Sequence, residues 1–204
     1  MTTLKTLPRR LSSRRKKKIK MTEEEMNYIL ENTEIEKQDL EAKYQTFLST
    51  HAYGQMSKRS FSRMMKECYP GMRTEKLTRH VFRMYDTNGD GCVDFKEFII
   101  GLNIMNNGTP EQNLKQLFRI LDINNDGRIL TAELVEVVKD ILEVLTEEKT
   151  HYAKDTLSLA QAAFAEMDLN VDGEITGDEF VTACLEKKRF SKILTLLIIE
   201  LFSS

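Results

Sequence analysis

The sequence predicts an all-α protein made of four helix–loop–helix units arranged as two paired lobes. Three observations lead to this fold class. A twelve-residue acidic segment occurs three times along the chain, apolar residues recur at helical spacing on both sides of each copy, and a fourth segment upstream keeps the same flanks without the acids. Repeats of this kind indicate one structural unit used several times.

Composition favours an ordinary globular protein. The 204 residues are 41% hydrophobic and 30% charged, with a net charge of -2, which is typical of a folded domain. No apolar run reaches the roughly 18–20 residues needed to span a bilayer, and no secretory signal is recognisable. Cys68, Cys92 and Cys184 lie far apart in the sequence, so we expect neither a disulfide framework nor a zinc site. This cysteine pattern favours a location in the reducing cytosol or nucleus.

Residues 1–21 form a basic tail that we expect to be disordered. Its first 20 residues contain nine Lys or Arg and no acid. The segment Arg9–Lys20 also leaves open an anionic membrane surface as partner and a nuclear-localisation role, whereas nucleic-acid binding is not expected. The chain begins Met-Thr-Thr, so no N-myristoyl group is expected.

The first unit belongs to a predicted N-terminal lobe, residues 22–106. Thr22 and Glu25 have the spacing of a capping box, which predicts one long helix running toward Leu48. The segment Ser49–Ser60 then places Gly54 at its sixth position and an apolar residue at its eighth, but it contains no acid. We therefore expect this loop to keep the fold without a metal, and we expect no ligand role for its histidine.

The three acidic segments are DTNGDGCVDFKE from Asp86, DINNDGRILTAE from Asp122 and DLNVDGEITGDE from Asp168. Each has Asp, Asn, Asp, Gly and Glu at positions 1, 3, 5, 6 and 12, which is the pattern of an EF-hand calcium loop. Calcium takes six to eight oxygen ligands, and glycine at position 6 permits the sharp turn around the ion. The apolar residue at position 8 predicts a short antiparallel ribbon between paired loops. We expect the loop at Asp122 to be the weakest, because Leu130 at its position 9 carries no side-chain oxygen.

Helical segments flank these loops. Apolar spacing and the capping signals at Thr109-Pro110 predict helices over residues 74–85, 95–105, 113–121 and 132–145, with the fourth unit over about 152–188. The predicted C-terminal lobe covers residues 107–190.

Residues 191–204 form an apolar C-terminal helix in this scheme. Eight of the twelve residues in Ser191–Phe202 are aliphatic or aromatic, and an exposed helix of this composition would aggregate. Two interpretations stay open: a last helix packed on the core, and a plug in the protein's own target groove. A dimer contact and a membrane-surface helix are further alternatives.

The chain resembles the neuronal calcium sensor family of the recoverin and frequenin type. The resemblance lies in the loop spacing, the disabled first loop and the phrases HVFRMYDTNGDGCVDFKEFIIGL and GTPEQNLKQLFRILDINNDGRI; the tail GDEFVTACLEKKRFSKILTL is similar to the potassium-channel-interacting subgroup. Gln116 stands where the family often has Trp, and His51-Ala52 stands where it usually has Cys-Pro.

This resemblance implies three calcium sites, with magnesium as a competitor. The implied ligands are Asp86, Asn88, Asp90, the backbone of Cys92, Asp94 and Glu97 in the second hand; Asp122, Asn124, Asp126, the backbone of Arg128 and Glu133 in the third; and Asp168, Asn170, Asp172, the backbone of Glu174 and Glu179 in the fourth.

The expected function is that of a cytoplasmic calcium sensor. On calcium binding it would expose a hydrophobic groove and grip an amphipathic helix of a channel, receptor or enzyme. The alternatives are a calcium buffer and a calcineurin-B-like regulatory subunit of an enzyme. We find no nucleophile and base at suggestive positions, so we do not expect catalysis by this chain.

Overall fold

A computed structural model describes residues 20–68, 75–145 and 152–186. The basic segment before Lys20, the linker 146–150 and the apolar segment Ser191–Phe202 lie outside the described residues, so the expectations for them stay predictions. In the described part the chain is mainly helical, as the sequence predicts. No helix in that part is long and apolar enough to cross a membrane.

The elements of the first two units follow one another along residues 23–107. They are α1 (Glu23–Asn32), α2 (Lys37–Thr50), β1 (Gln55–Ser57), α3 (Lys58–Cys68), α4 (Glu75–Tyr85), β2 (Cys92–Asp94) and α5 (Phe95–Asn107). The elements of the last two units are α6 (Pro110–Leu121), β3 (Arg128–Leu130), α7 (Thr131–Leu145), α8 (Tyr152–Met167), β4 (Glu174–Thr176) and α9 (Gly177–Glu186).

The prediction of one long helix from Thr22 to Leu48 was wrong, because α1 ends at Asn32 and α2 begins at Lys37. The capping box of Thr22 with Glu25 is present at the start of α1. At its end, the Asn32 amide donates to the Tyr28 carbonyl and the Thr33 hydroxyl donates to the Ile29 carbonyl, both at 2.8 Å. Short polar side chains of this type compete with the backbone for hydrogen bonds and favour helix ends.

The loops pair through two antiparallel ribbons, as predicted. Strand β1 pairs with β2 so that Met56 faces Val93, and β3 pairs with β4 so that Ile129 faces Ile175. All four side chains are buried. The metal-free first loop thus pairs with the second loop, and the third with the fourth.

Helix α4 lies at the centre of the molecule, where it packs on α3, α5, α6 and α7. Its close approach to α5 depends on Gly101, because a Cβ there would lie 2.5 Å from the ring of buried Tyr85. Helix α4 therefore contacts both ribbon-paired units through their helices, and one apolar core runs through both.

Candidate calcium-binding loops

Each acidic loop begins where a helix ends and finishes inside the first turn of the next helix. Asp86 directly follows α4, and Glu97 lies in the first turn of α5. The third and fourth loops have the same placement after α6 and α8. The carboxylate at position 12 is therefore attached to the exiting helix, and any movement of that carboxylate moves the helix with it.

The aspartate at position 1 turns each loop back on itself. Asp86 accepts the amides of Asp90 and Gly91, each at 3.0 Å. In the third loop Asp122 accepts the amides at positions 5 and 6 at 3.2 and 2.9 Å, and in the fourth loop Asp168 does the same at 3.2 and 2.9 Å. The three loops share one hydrogen-bond pattern around their first ligand candidate.

Positions 3 and 5 continue the turn. The side-chain oxygens of Asn88, Asn124 and Asn170 accept the amide at position 5 at 2.8, 2.9 and 3.0 Å. The aspartates at position 5 accept the amide at position 7, at 2.9 Å in all three loops. The carboxylates and amides predicted to bind calcium are thus placed on the inner side of three similar turns.

The glutamate at position 12 closes the second and third loops. One oxygen of Glu97 accepts the amides of Thr87 and Asn88 at 3.0 and 3.2 Å, and Glu133 holds the amides of Ile123 and Asn124 at 2.9 and 3.2 Å. In the fourth loop Glu179 accepts the Thr176 amide at 2.9 Å. The position-12 carboxylate therefore bonds its own loop in all three units.

Position 4 is a structural requirement that the sequence reasoning missed. The residue there has a positive φ in every acidic loop, 67° at Gly89, 59° at Asn125 and 60° at Val171. Glycine and asparagine adopt this conformation at low cost, whereas a β-branched residue does not. The available signal was the pair Gly89 and Asn125, two residue types that favour positive φ.

Position 9 differs among the loops, as predicted. The side chains of Asp94 and Thr176 accept the amide at position 12 at 2.8 and 3.3 Å, so each also caps the exiting helix. Leu130 is partly exposed at this position and has no oxygen to offer. The third loop is therefore the one with the fewest side-chain oxygens.

An ion pair joins position 7 of the third loop to position 7 of the fourth loop. The guanidinium of Arg128 contacts the carboxylate of Glu174 across the ribbon. Arg128 has no side-chain oxygen and the Glu174 carboxylate is engaged by Arg128, so the backbone carbonyl is the oxygen that position 7 would supply.

Electrostatics in the second and third loops favour a cation. Burial, followed by the neighbouring Asp90 charge, raises the pKa of Asp86 against the effect of its amide hydrogen bonds. Burial likewise raises the pKa of Glu97 and of Asp122. In the fourth loop, hydrogen bonds from Thr176 lower the pKa of Glu179. A bound divalent cation would offset the repulsion and desolvation that disfavour ionised carboxylates.

Within the described ranges, no three His, Cys, Asp or Glu side chains are gathered as a preformed metal cluster. The candidate shells instead combine carboxylates with an Asn amide oxygen and a backbone carbonyl, and loop amides hold the carboxylates. The donor set consists of the oxygen ligands that calcium prefers. The residues fit this ion, and binding would have to draw the carboxylates inward, which couples it to loop ordering.

The first loop reaches a similar turn without carboxylates. Gly54 has φ of 70° and donates its amide to the His51 carbonyl at 2.7 Å. The His51 ring stacks on Phe47 with centroids 4.7 Å apart, and Thr50 contacts its Nδ1 at 2.8 Å. An aromatic contact and a backbone turn thus stabilise this loop in place of a charged shell.

Family models match the regions that carry the acidic loops. A model described as an EF-hand domain pair matches residues 111–185, and one described as an EF hand domain matches residues 78–105. The chain is an EF-hand protein, and calcium is the ion that this class implies.

Two known proteins are similar to this chain over most of its length. Human recoverin is 28% identical over 167 residues, covering 80% of this chain and 84% of recoverin. S-modulin of Aquarana catesbeiana is 27% identical over 170 residues, covering 80% of this chain and 83% of S-modulin. These similarities confirm the resemblance to the neuronal calcium sensor family that was found in the sequence.

Proposed function

We propose that this protein is a calcium sensor with three working sites, in the loops that begin at Asp86, Asp122 and Asp168. The observation that carries this proposal is the common turn of the three loops, in which the side chains at positions 1, 3 and 5 accept the same loop amides. The ligand set is the one named from the sequence, with the position-12 glutamate supplying two oxygens. Magnesium competes at the same sites.

The first loop takes no ion in this proposal. Its turn is made by the His51 carbonyl and the Phe47 ring, and a carboxylate shell is lacking from Ser49 to Ser60. Through the ribbon, however, it is bonded to the second loop, with Gln55 facing Asp94. A change of shape in the second loop therefore acts on the first loop directly.

When an acidic loop closes on a calcium ion, the helix that follows the loop moves with its position-12 glutamate. A bound calcium ion supplies a positive charge that favours bidentate contact with the position-12 carboxylate. Glu97 lies in the first turn of α5, so its displacement turns that helix against α1 and α4, on which α5 packs. Phe98, Leu102 and Met105 on α5 are only partly buried against the core, and this movement would change their exposure.

The partner we propose is an amphipathic helix of a target protein. Half-buried apolar residues with aromatic and methionine side chains suit a surface that accepts such a helix, and in the first two units these are Leu48, Met64, Phe98, Leu102 and Met105. A channel, receptor or enzyme segment with apolar residues at i, i+3, i+4 and i+7 has the matching chemistry.

Titration calorimetry of the full chain tests the number of sites. We expect three calcium ions per chain, and we expect Glu97→Gln, Glu133→Gln and Glu179→Gln each to reduce the number to two, because each removes a bidentate ligand. Glu31→Gln is the matched control, since Glu31 is an exposed glutamate on α1. Full stoichiometry in any of the three loop variants would show that the ligand assignment is wrong.

Apolar-dye fluorescence in the same samples tests sensing. The dye signal should rise with calcium in the wild type and rise less in Glu97→Gln, whose second loop controls α5. A signal that stays flat while three ions bind would identify a buffer instead of a sensor. Repeating the titration in excess magnesium shows whether that ion competes.

A further inference from the structure

A buried hydrogen-bond network on α4 connects helices that lead to two different loops. It consists of Lys76, His80 and Arg83 on α4, Asp140 on α7 and the Ile120 carbonyl on α6; we call it the α4 network. The three α4 residues are spaced by four and three positions, which places them on one helix face. That face is directed at α6 and α7, on which α4 packs.

The proton positions in the network follow from the chemistry of arginine. Arg83 contacts Nδ1 of His80 at 2.6 Å, and a guanidinium can only donate. Nδ1 must therefore accept, and the ring proton lies on Nε2. From Nε2 the histidine donates to Asp140 at 2.9 Å. Neutral His80 thus joins an arginine to an aspartate, a role that the protonated ring cannot perform.

Each end of the network has a further partner. Lys76 donates to the other oxygen of Asp140 at 3.1 Å, and Arg83 donates to the Ile120 carbonyl at 2.7 Å. His80 is 4% exposed and Asp140 is 6% exposed. Buried polar groups of this kind stabilise a structure only in a geometry that satisfies them, so the network favours one arrangement of the three helices.

The network reaches the start of two loops. Helix α4 ends at Tyr85, immediately before Asp86 of the second loop. The Ile120 carbonyl lies two residues before Asp122 of the third loop. These loops belong to different ribbons, so neither ribbon joins them. The α4 network does join the helices that enter them.

We propose that His80 and Arg83 are positioning residues that couple calcium binding in the second loop to calcium binding in the third. The proposal rests on the calcium sites proposed above. A second loop that closes on its ion shifts α4, and the network transmits this shift to α6 and α7, which enter and leave the third loop. By reciprocity, binding in the third loop favours binding in the second.

The coupling should weaken in acid. Burial lowers the pKa of His80, as does the Arg83 charge, while the hydrogen bond and charge of Asp140 and the charge of Glu136 raise it. The net direction is below the ordinary histidine value, in agreement with an Nδ1 that accepts from arginine. His80 therefore stays neutral to a lower pH than an ordinary histidine, and its protonation in acid breaks the Arg83 contact.

The test isolates two loops in the full chain. Glu179→Gln disables the fourth loop, and adding Glu97→Gln or Glu133→Gln leaves a single working loop. Calorimetry then gives calcium affinity for each loop alone and for the two together, and the ratio is the coupling factor. At pH 7.5 we expect the second and third loops to assist each other about fivefold or more, and we expect His80→Leu to reduce this factor to less than about twofold.

A conservative variant separates positioning from simple destabilisation. Glutamine can accept from Arg83 and donate to Asp140 but cannot be protonated. His80→Gln should therefore keep the coupling at pH 7.5 and retain it as the pH is lowered step by step, whereas the wild type loses it once His80 is protonated. Glu31→Gln, at an exposed position on α1, should behave as the wild type does.

The outcomes are distinct. Two loops that bind calcium independently in the wild type, a coupling factor unchanged in His80→Leu, or equal pH profiles for the wild type and His80→Gln would each overturn the positioning role while leaving the calcium sites intact. If neither loop binds calcium in the wild type, the proposed sites are wrong, and the coupling fails with them.

Discussion

Among the described residues, Val171 has the backbone conformation that suits its side chain least. It holds φ of 60° at position 4 of the fourth loop, where the other acidic loops have glycine and asparagine. The left-handed region costs an L-residue roughly 1–2 kcal/mol, and a β-branched side chain is among the least suited to it. Val171 is 84% exposed, so packing does not compensate for this strain.

Val171→Asn should therefore stabilise the protein. We expect a gain of about 1 kcal/mol in the free energy of unfolding, measured by urea denaturation of the calcium-free full chain. Leu169→Asn is the matched control, because Leu169 is an exposed apolar residue of the same loop without a positive φ, and it should change stability little. An equal effect of the two substitutions would show that hydrophobicity, and not backbone conformation, matters here.

At the scale of elements, α1 is an additional helix that precedes the first helix–loop–helix unit and packs on α5. Ile29 is fully buried in this contact region of the core. The Asn103 amide donates to the Asn32 carbonyl at 3.2 Å, and the Lys96 ammonium lies 5.3 Å from the centroid of the Tyr28 ring. Helix α1 thus covers part of the helix that we propose to move on calcium binding.

Ile29→Ala should loosen α1. Truncating a fully buried isoleucine lowers the free energy of unfolding by roughly 2–5 kcal/mol. Helix α1 has ten residues and few other buried side chains, so it depends strongly on this contact. We expect faster amide hydrogen exchange in α1 and a higher apolar-dye signal without calcium. Tyr28→Ala, at a half-exposed neighbouring position, should have a smaller effect on both. Unchanged exchange in Ile29→Ala would mean that α1 is held by other contacts.

The two ends of α1 differ in how well local sequence patterns predict them. The capping box at Thr22 predicted the start of α1 correctly, because its partner lies only three residues away. The end of α1 was missed because helical propensity is a weak signal and apolar spacing continues into α2. The side chains of Asn32 and Thr33 determine that end through bonds to the last turn.

For the whole molecule, the four units and the pairing of their loops in short ribbons were predicted from the sequence, because the twelve-residue loop pattern recurs along the chain and its eighth residue is apolar. The sequence could not predict the α4 network. His80 and Asp140 are 60 positions apart, and neither belongs to a recognisable motif. Their pairing depends on how α4 packs on α7, which is a property of the assembled fold.

Three loops of the molecule are proposed calcium sites, and the first loop is their metal-free partner. The glycine amides at position 6 distinguish these loops directly. Gly91, Gly127 and Gly173 donate to the position-1 carboxylate at 2.9–3.0 Å, whereas Gly54 donates to the His51 carbonyl. A cation held by that carboxylate tightens the loop and shortens its charge-assisted hydrogen bond, which deshields the amide proton.

The most direct test is a proton–nitrogen correlation spectrum of these four glycine amides during a calcium titration. We predict that the amide protons of Gly91, Gly127 and Gly173 move to low field as calcium saturates the protein, while that of Gly54 shows no comparable shift. A spectrum in which one of the three acidic-loop glycines stays in place at saturation, or in which Gly54 moves to low field with them, would show that this assignment of the sites is wrong.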